Sequence, residues 1–373
     1  MKLTIDRAVF LKALSHGQSV VERRTTIPIL SHVLLQTTDT GLTLSTTDMD
    51  IALQEMIPAE IHEPGAITVS AHMLFDIVRK LPDGLSVDLS LNPENGQLTL
   101  KAGRSKFNLS SLPVDQFPQL TQGELPHEFQ LEITTLKRLI DRAKFAMSSE
   151  DTRYYLNGIY LHVHGTGDRK ILRSVATDAH RLACIEAVIP VGAEEIPGII
   201  VGRKTVTEVR KLLDEIDGNV TLRLSPTRIE FVLPNATLSS RLIDGSYPDY
   251  EQAIPTGNDK QIILDAKSFA AAVDRVATVA TDKLRVIKMH VGNNTITLSA
   301  ASHELGSAVE EIPVEYASDD SVEIGFNARY LLDIAQQIGD DEAQIMLSDG
   351  SSPALIRGMN DNDSMFVLMP MRV

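Results

Sequence analysis

The sequence is poor in cysteine and in long apolar runs, and these shortages exclude several classes of protein. Cys184 is the only cysteine in 373 residues, so an internal disulfide framework and a cysteine-based zinc site are both excluded. A single thiol suits a reducing compartment, and we expect a cytoplasmic protein. No apolar run approaches the roughly 20 residues of a membrane span, and no charged-then-apolar leader opens the chain. We therefore expect neither a membrane anchor nor a signal peptide.

The sequence also lacks the patterns of the common enzyme classes. The phosphate-binding pattern GxxxxGK[ST], the dinucleotide pattern GxGxxG, the nucleophile elbow GxSxG and the zinc-protease pattern HExxH are all missing. His162 and His164 share one face of a predicted strand, but no third metal ligand lies near them. We therefore expect no metal, no cofactor and no catalytic residues.

One arrangement of a short strand, a capping residue and an amphipathic helix occurs three times in the chain. Asp6, Thr134 and Asp265 are the predicted helix N-caps, because their side-chain oxygens can accept hydrogen bonds from free helix N–H groups. Apolar residues follow each cap at helical spacing. The copies begin about 130 residues apart, which is the length of an ordinary domain. The repeat predicts three similar domains, at residues 1–126, 127–257 and 258–373.

Each repeat contains a second predicted helix, about 60 to 70 residues after the first. These second helices lie within residues 69–81, 201–213 and 324–338. The intervals between helices read as alternating strands and turns. The chain is therefore predicted to be an α+β protein, in which each domain consists of two strand–helix–strand half-repeats with antiparallel sheets.

Positive and negative charges are unevenly distributed. The formal net charge of −15, taken alone, argues against nucleic acid as a ligand. Yet six predicted helical windows hold 21 Lys and Arg against 12 Asp and Glu, whereas the remainder holds 14 against 38. The windows are residues 1–24, 67–81, 131–147, 201–215, 262–288 and 324–338. Helix propensity favours Lys and Arg over Asp but does not explain why Glu also lies mostly outside the helices, so the distribution favours an anion-facing helical layer.

One segment looks catalytic at first sight. It is A-T-D-A-H-R-L at residues 176–182, and the first repeat has T-T-D-M-D-I-A at the equivalent residues 46–52. The shared Thr-Asp pair is predicted to be turn architecture, and the second copy adds His180 and Arg181. A hydrolase that uses Asp178 and His180 stays open as an alternative, although no nucleophile accompanies the pair.

The C-terminus is apolar where a polar tail is usual. Met369, Pro370 and Met371 are adaptable side chains, which suit a surface that accepts several apolar partners.

Four motifs together carry a resemblance to a known family. They are R-Y-Y-L-N-G at residues 153–158, A-T-D-A-H-R-L at 176–182, Y-P-D-Y at 247–250 and the terminal M-P-M-R-V. With them the whole chain resembles the beta subunits of bacterial DNA polymerase III, the replicative sliding clamps. The resemblance implies a clamp fold of three similar domains and a head-to-tail homodimer. In that dimer the helices line a ring around duplex DNA and the antiparallel sheets lie outside.

The resemblance also implies three sets of site residues. The implied DNA contacts are Arg24, Arg79, Arg153, Tyr154, Arg203 and Lys204. The implied partner-peptide pocket is formed by Leu156, Thr177, His180, Arg181, Leu182, Pro248, Met369, Pro370, Met371 and Arg372. The implied dimer interface places Phe107 and Leu109 of one subunit against Thr278 and Val279 of the other.

The implied function is that of a non-catalytic processivity subunit, which holds the replicative polymerase on DNA without reading sequence. Its implied partners are double-stranded DNA, the polymerase alpha subunit, the clamp loader, other polymerases, mismatch-repair proteins and ligase, the proteins binding through short linear motifs. The implied location is the cytoplasm, in association with the nucleoid. A second alternative is a peptide-binding scaffold that does not encircle DNA.

Overall fold

The structure is a computed structural model that describes residues 1–92, 95–118, 123–280, 285–302 and 305–372. The chain divides into two compact units. Unit 1 consists of Met1–Lys137, Pro190–Pro197 and Lys204–Leu242. Unit 2 consists of Arg138–Ile189, Gly198–Arg203 and Ile243–Val373. Each unit thus contains part of the predicted central domain.

The described residues form six α-helices and 26 strands. The helices are α1 (Arg7–Val20), α2 (Ala71–Lys80), α3 (Ile133–Asp141), α4 (Arg203–Leu213), α5 (Ala266–Ala277) and α6 (Ala328–Ile338). The first strands are β1 (Lys2–Asp6), β2 (His32–Thr38), β3 (Gly41–Thr47), β4 (Ile51–Ile57), β5 (Glu60–Glu63), β6 (Ala66–Ser70), β7 (Ser86–Leu91), β8 (Leu98–Ala102), β9 (Ser105–Leu109), β10 (His127–Glu132), β11 (Gly158–His164), β12 (Ile171–Thr177) and β13 (Arg181–Val188). The others are β14 (Ile199–Gly202), β15 (Asn219–Leu224), β16 (Arg228–Val232), β17 (Ala236–Arg241), β18 (Lys260–Asp265), β19 (Val286–Gly292), β20 (Thr295–Ser302), β21 (Gly306–Pro313), β22 (Glu315–Tyr316), β23 (Val322–Asn327), β24 (Glu342–Leu347), β25 (Ala354–Gly358) and β26 (Ser364–Leu368).

Each of the six helices begins at the residue after a strand, as the repeat predicts. Two of the predicted N-caps are confirmed. The Asp6 carboxylate accepts from the Ala8 amide over 2.8 Å, and that of Asp265 accepts from the Ser268 amide over 2.7 Å. None of the helices in the described ranges has the length and apolarity that crossing a bilayer requires.

The predicted cap at Thr134 is wrong, because α3 already begins at Ile133. Strand β10 stays paired with β15 as far as Glu132, and the Ile133 amide then donates to the Gly218 carbonyl over 2.9 Å. Glu132, the last residue of β10, therefore precedes α3 directly, as Asp6 and Asp265 precede α1 and α5. Thr134 lies in the first helical turn instead.

Unit 1 contains two antiparallel sheets. The five-stranded sheet has the order β5-β1-β7-β8-β9, and the eight-stranded sheet has the order β10-β15-β16-β17-β4-β3-β2-β6. Helices α1 and α2 bury Phe10, Leu14 and Leu74 in an apolar core that strands of both sheets share. Burial of such side chains contributes about 1.5–3 kcal/mol each.

Unit 2 also contains two antiparallel sheets. The nine-stranded sheet has the order β14-β11-β12-β13-β26-β25-β24-β18-β22, and the four-stranded sheet has the order β21-β20-β19-β23. Strand β26 near the C-terminus pairs with β13, so that Leu182 lies opposite Val367. The last strand of the chain therefore lies beside the segment at 176–182.

Candidate functional site

The segment at 176–182 forms a tight turn between β12 and β13. The Thr177 hydroxyl donates to the Arg181 carbonyl over 2.7 Å and accepts from the Ala179 amide over 3.1 Å. The Asp178 carboxylate accepts from the amides of His180 and Arg181, each over 3.0 Å. Ala179 has a φ of 72°, in the left-handed region that such a turn requires.

The segment at 46–52 builds the same turn in unit 1. The Thr47 hydroxyl donates to the Ile51 carbonyl over 2.8 Å, and the Asp48 carboxylate accepts from the amides of Asp50 and Ile51 over 2.9 and 2.8 Å. Met49 has a φ of 84°, as Ala179 does at the equivalent position. The Thr-Asp pair is thus turn architecture, as predicted.

Arg181 is buried behind the turn in unit 2. Its guanidinium lies 5.0 Å from the ring centroid of Phe145 and 4.3 Å from that of Tyr330. It also donates to the Phe145 carbonyl over 2.7 Å and to the carboxylates of Asp178 and Asp333 over 3.1 and 2.5 Å. The guanidinium is therefore held between two rings and two carboxylates, and it fixes the position of the turn.

His180 lies on the exposed side of the same cluster. Its ring is stacked on that of Tyr330, with the centroids 6.2 Å apart and an interplanar angle of 23°. The Asp178 carboxylate is occupied by main-chain amides and by Arg181. These contacts are those of a structural turn rather than of a general acid and base.

The C-terminal segment joins the turn through its main chain. The Met369 amide donates to the His180 carbonyl over 2.9 Å, and the Met371 amide donates to the Gly325 carbonyl over 2.8 Å. Val367 is buried, whereas Met369, Pro370 and Met371 are half-buried. The structure thus places partly exposed apolar side chains next to His180.

The other predicted pocket residues differ in exposure. Leu156 and Leu182 are buried, Thr177 is half-buried, and Pro248 and Arg372 are exposed. Leu182 belongs to an apolar cluster beneath the surface, together with Val175, Cys184, Tyr250, Leu355 and Val367. Leu182 therefore supports this region from below.

The segment that contains Pro248 is anchored by aromatic residues. Tyr247 is stacked on Tyr160, with ring centroids 4.7 Å apart and an interplanar angle of 7°. The Arg173 guanidinium donates to the Tyr250 hydroxyl over 2.9 Å, and burial raises the pKa of that hydroxyl. These contacts fix the segment on both sides of Pro248.

His162 and His164 have protein partners rather than a metal arrangement. The His162 ring lies 2.9 Å from the Tyr250 hydroxyl, and burial lowers the pKa of that imidazole. The His164 ring lies 3.0 Å from the Glu251 carboxylate. Within the described part of the chain, no three His, Cys, Asp or Glu residues are grouped as metal ligands would be.

Sequence reasoning missed Tyr330, Asp333 and Phe145, which complete the cluster around Arg181. Tyr330 and Asp333 lie on α6, about 150 residues beyond the turn, and their residue types occur at ordinary helical positions. Only the fold brings them to Arg181. The Y-P-D-Y motif does identify Tyr247, since it contains that residue.

Among the predicted DNA contacts in unit 1, Arg24 is exposed and the other two have acidic neighbours. Arg79 pairs with Asp76 over 3.0 Å. The Lys204 ammonium lies 2.8 Å from the Glu22 carboxylate and 2.6 Å from that of Asp48. Burial is the largest influence and lowers the pKa of Lys204, but the hydrogen bonds to the two carboxylates outweigh it, and the pKa is raised.

The predicted DNA contacts in unit 2 surround one loop. The Arg203 guanidinium donates to the Met147 and Ser148 carbonyls over 2.8 and 2.7 Å. Arg153 pairs with Glu150 over 2.8 Å, and Tyr154 is exposed. Arg203 thus holds the main chain that leads to Arg153 and Tyr154.

The predicted interface residues lie on an edge strand of unit 1 and directly after a helix of unit 2. Phe107 and Leu109 belong to β9, the edge strand of the five-stranded sheet. Thr278 is exposed and Val279 half-buried directly after α5. Edge strands present unpaired main-chain groups and commonly pair with another chain.

The helices carry more basic than acidic residues also when they are counted with the bounds that the structure shows. The six helices carry 13 Lys and Arg against 5 Asp and Glu. Several of these cations have carboxylate neighbours, such as Lys12 with Glu215 at 2.9 Å. The helical surface therefore combines net positive charge with local pairing.

Three family models together match almost the whole chain. They describe the N-terminal, central and C-terminal domains of the DNA polymerase III beta subunit, and they match residues 1–121, 130–249 and 251–372. The chain belongs to the DNA polymerase III beta subunit family. The fold is accordingly the clamp fold, with three related domains.

Proteins named beta sliding clamp match over their full length. The protein from Caulobacter vibrioides strain NA1000 is 48% identical over 373 residues, which is 100% of both chains. A crystal structure of the Caulobacter crescentus beta sliding clamp has a TM-score of 0.97 at 48% identity and covers 100% of this chain and 99% of that one. The Bartonella birtlesii sliding clamp, crystallised bound to griselimycin, has a TM-score of 0.96 at 44% identity with 100% coverage of both chains.

Membership of the beta sliding clamp family bears on the alternatives raised by the sequence. Neither the hydrolase nor the non-encircling scaffold is supported by these relatives. The relatives support a sliding clamp role for this chain.

Proposed function

We propose that this chain is a sliding clamp that encircles duplex DNA as a head-to-tail homodimer and holds the replicative polymerase on it. The observation that carries the proposal is the full-length match to beta sliding clamps. We also propose that the clamp is not an enzyme, because Asp178 and His180 are used to build a turn.

We propose that the helices face the DNA. The helices carry 13 basic residues against 5 acidic ones, which supports this proposal. A basic surface attracts the phosphates of DNA whatever the base sequence is. Carboxylates next to Lys204 and Arg79 reduce the net attraction at each contact. Weak individual contacts are what a protein that slides requires. Arg24, Arg153, Tyr154 and Arg203 complete the proposed set.

We propose that the pocket around His180 binds short linear motifs of the partners. The half-buried Met369 and Met371 next to the stacked pair of His180 and Tyr330 support an apolar ligand. The proposed partners are the polymerase alpha subunit, the clamp loader, other polymerases, mismatch-repair proteins and ligase. The proposed cellular location of these interactions is the cytoplasm, at the nucleoid.

We propose that the dimer forms where β9 of one subunit meets the segment after α5 of the other. The free edge of β9 and the exposed Val309 on the edge strand β21 support this.

Three domains at 1–126, 127–257 and 258–373 remain the proposed division, which the family matches at 1–121, 130–249 and 251–372 support.

The test of encirclement is retention on DNA of defined topology. The clamp, loaded on nicked circular DNA, should co-elute with it in gel filtration and should be released when a restriction enzyme linearises the circle. Release at the same rate from both forms would favour a non-encircling scaffold.

A further inference from the structure

The ring of His162 is connected to both tyrosines of the Y-P-D-Y motif, to one of them through a third ring. It is stacked on Tyr160, with the ring centroids 4.5 Å apart and an interplanar angle of 20°. Tyr160 is stacked in turn on Tyr247. The Nε2 atom of His162 lies 2.9 Å from the Tyr250 hydroxyl at the other end of the motif. Pro248, which belongs to the proposed pocket, therefore lies between two tyrosines that His162 helps to hold, and all of these residues belong to unit 2.

The hydrogen bonds around Tyr250 are complete when His162 is neutral. The Arg173 guanidinium donates to the Tyr250 hydroxyl over 2.9 Å, and a guanidinium cannot accept. The hydroxyl proton therefore goes to Nε2 of His162, which accepts it only without a proton of its own. The Nδ1 atom lies 3.0 Å from the Val163 carbonyl, an acceptor, so the neutral ring carries its proton at Nδ1.

The cations near His162 favour the neutral ring. Burial lowers the pKa of the imidazole most strongly, and the charges of Arg173 and His164 lower it further. Arg173 is buried directly opposite His162 on β12, whereas β14, on the other side of β11, carries no ionisable side chain. Tyr160 and Tyr250 stay neutral, because burial raises the pKa of both hydroxyls. A proton on Nε2 of His162 therefore adds a positive charge next to a buried guanidinium.

The carboxylates of this network are paired with other cations. The Glu251 carboxylate lies 3.0 Å from the ring of His164 and 3.3 Å from the Arg173 guanidinium. Glu186 on β13 accepts from Arg173 over 3.0 Å. Glu251 and the hydrogen bond to the neighbouring carbonyl raise the pKa of His162, but the lowering influences outweigh both.

The two tyrosines connect this network to the proposed pocket. Tyr250 is buried in the apolar cluster that contains Leu182 and Val367, and Tyr247 packs against the same cluster. The main chain between the two rings carries Pro248, which is exposed. The position of Pro248 therefore depends on where both rings are held.

We propose that His162 is a positioning residue of the partner pocket and holds Pro248 in its binding position only while the imidazole is neutral. The inference rests on the proposed function of that pocket and goes beyond it, because it makes the affinity for linear motifs depend on pH. In acid, a proton from solvent occupies Nε2, the Tyr250 hydroxyl loses its acceptor, and Arg173 repels the ring. The motif that carries Pro248 then loses its support at both ends.

The direction of the pH dependence follows from the lowered pKa of His162. The neutral ring is the form that supports the pocket, so its contribution to the affinity is complete above about pH 6.5. It is lost as the pH falls through the lowered value. Acid should therefore weaken the binding of linear motifs.

The first experiment is a titration of the full chain with a blocked peptide that contains a glutamine and a terminal Leu-Phe pair but no ionisable side chain. A rhodamine label with pH-independent emission reports binding at about pH 5 and about pH 8. His162→Gln keeps an oxygen that accepts from Tyr250 and cannot be protonated. The fall in affinity towards acid should be about three- to tenfold larger for the unaltered chain than for His162→Gln. His180 titrates in both chains and cancels in this comparison, and His290→Gln, which removes an exposed histidine on β19, should behave as the unaltered chain does.

The second experiment needs no variant. Histidine labelled with carbon-13 at Cε1 reports the pKa of each ring by NMR, and the resonance of His162 is assigned by its nuclear Overhauser contact with the stacked ring of Tyr160. Because coupling between a proton and a ligand is reciprocal, saturating peptide should lower the pKa of His162 by about 0.5 to 1. This measurement decides the matter even if His162→Gln fails to fold.

Two results would overturn this inference alone. One is an equal fall in affinity for the unaltered chain and His162→Gln, and the other is a pKa of His162 that the peptide leaves unchanged. Absence of peptide binding at about pH 8 would overturn the proposed pocket together with the role of His162. The two kinds of failure are therefore distinguishable.

Discussion

The guanidinium of Arg181 lies 4.3 Å from the ring centroid of Tyr330, although the two residues belong to different predicted domains. The Phe145 ring makes a second contact with this guanidinium, at 5.0 Å. Tyr330 in turn supports the ring of His180. The surface next to the C-terminal methionines is thus assembled before any partner arrives, which reduces the entropy lost on binding.

Arg181→Ala should destabilise the protein strongly. Removal of this buried cation takes the ion-pair partner from Asp333 and leaves Asp178 with main-chain amides alone, at a cost of about 3–5 kcal/mol in the free energy of unfolding. Urea unfolding measures this, with Arg104→Ala as the matched exposed control. A change below about 1 kcal/mol would show that the cluster does not depend on Arg181.

Met369→Ala/Met371→Ala should weaken partner binding about tenfold or more, because these half-buried thioethers supply apolar contact at the pocket. The measurement is a fluorescence titration with a peptide that contains a glutamine and a terminal Leu-Phe pair. Met359→Ala removes an exposed methionine elsewhere and should leave the affinity unchanged. Equal affinity of the two variants would move the pocket away from the C-terminus.

Lys204→Gln should weaken binding to a short DNA duplex. It should also reduce the slope of the logarithm of the binding constant against the logarithm of the salt concentration by about one. The reason is the loss of one proposed phosphate contact, because on DNA we expect Lys204 to exchange Glu22 and Asp48 for phosphate. Arg169→Gln, which removes an exposed charge from the turn between β11 and β12, serves as the control. An unchanged salt slope would place Lys204 outside the DNA contact.

Phe107→Asp should convert the dimer into monomers, with at least about a hundredfold weaker association, because a charge in an apolar interface is left unpaired. Sedimentation velocity measures the oligomeric state, and circular dichroism verifies that the variant is folded. Val114→Asp introduces the same charge at an exposed position of unit 1 and should remain dimeric. A Phe107→Asp dimer would show that the interface lies elsewhere.

Protonated His16 should stabilise unit 1, and this contribution to the free energy of unfolding should be lost as the pH rises. Its ring lies 2.9 Å from the Glu55 carboxylate and 3.0 Å from that of Glu215, which also pairs with Lys12. Burial, the largest influence, lowers the pKa of His16, but the two carboxylates outweigh it and raise the pKa above 6.5. The stabilisation is therefore complete below about pH 6.5 and is lost as the pH rises through the raised value.

The measurement is the melting temperature at about pH 6 and about pH 8.5. The melting temperature should fall from the lower to the higher pH, and this fall should be roughly 2 to 4 °C larger for the unaltered chain than for His16→Gln. His290→Gln removes an exposed histidine on β19 and should behave as the unaltered chain does. If the melting temperature of His16→Gln depended on pH as that of the unaltered chain does, the contacts of His16 with Glu55 and Glu215 would be excluded as a source of stability.

Local features of the fold were predictable from the sequence. Asp6 and Asp265 cap their helices because a cap depends on amides two or three residues away. The prediction of Thr134 as a cap was wrong because α3 begins at Ile133, directly behind Glu132 at the end of β10. The existence of a helix is readable from its apolar spacing, whereas its first residue is not readable where two nearby polar residues could precede it.

A second distinction applies to the candidate site. The turn at 176–182 was recognisable because its hydrogen bonds are internal and occur in a second copy. Tyr330 and Asp333 gave no sign of their role, since their contacts with Arg181 exist only after folding. Lys204 was recognised as a cation, but its pairing with Glu22 and Asp48 was not, because ion pairs over such separations leave no periodic pattern.

The pairing of β17 with β4 has a practical consequence for dissecting the protein. Five residue pairs, from Ala236 with Glu55 to Ser240 with Ile51, join the two predicted domains within one continuous sheet. A recombinant fragment that ends near residue 126 would expose β4 as a bare edge, with buried side chains such as Leu53 next to it. Such edges recruit strands from other molecules and aggregate. Expression boundaries for soluble fragments should therefore follow the sheet and not the repeat.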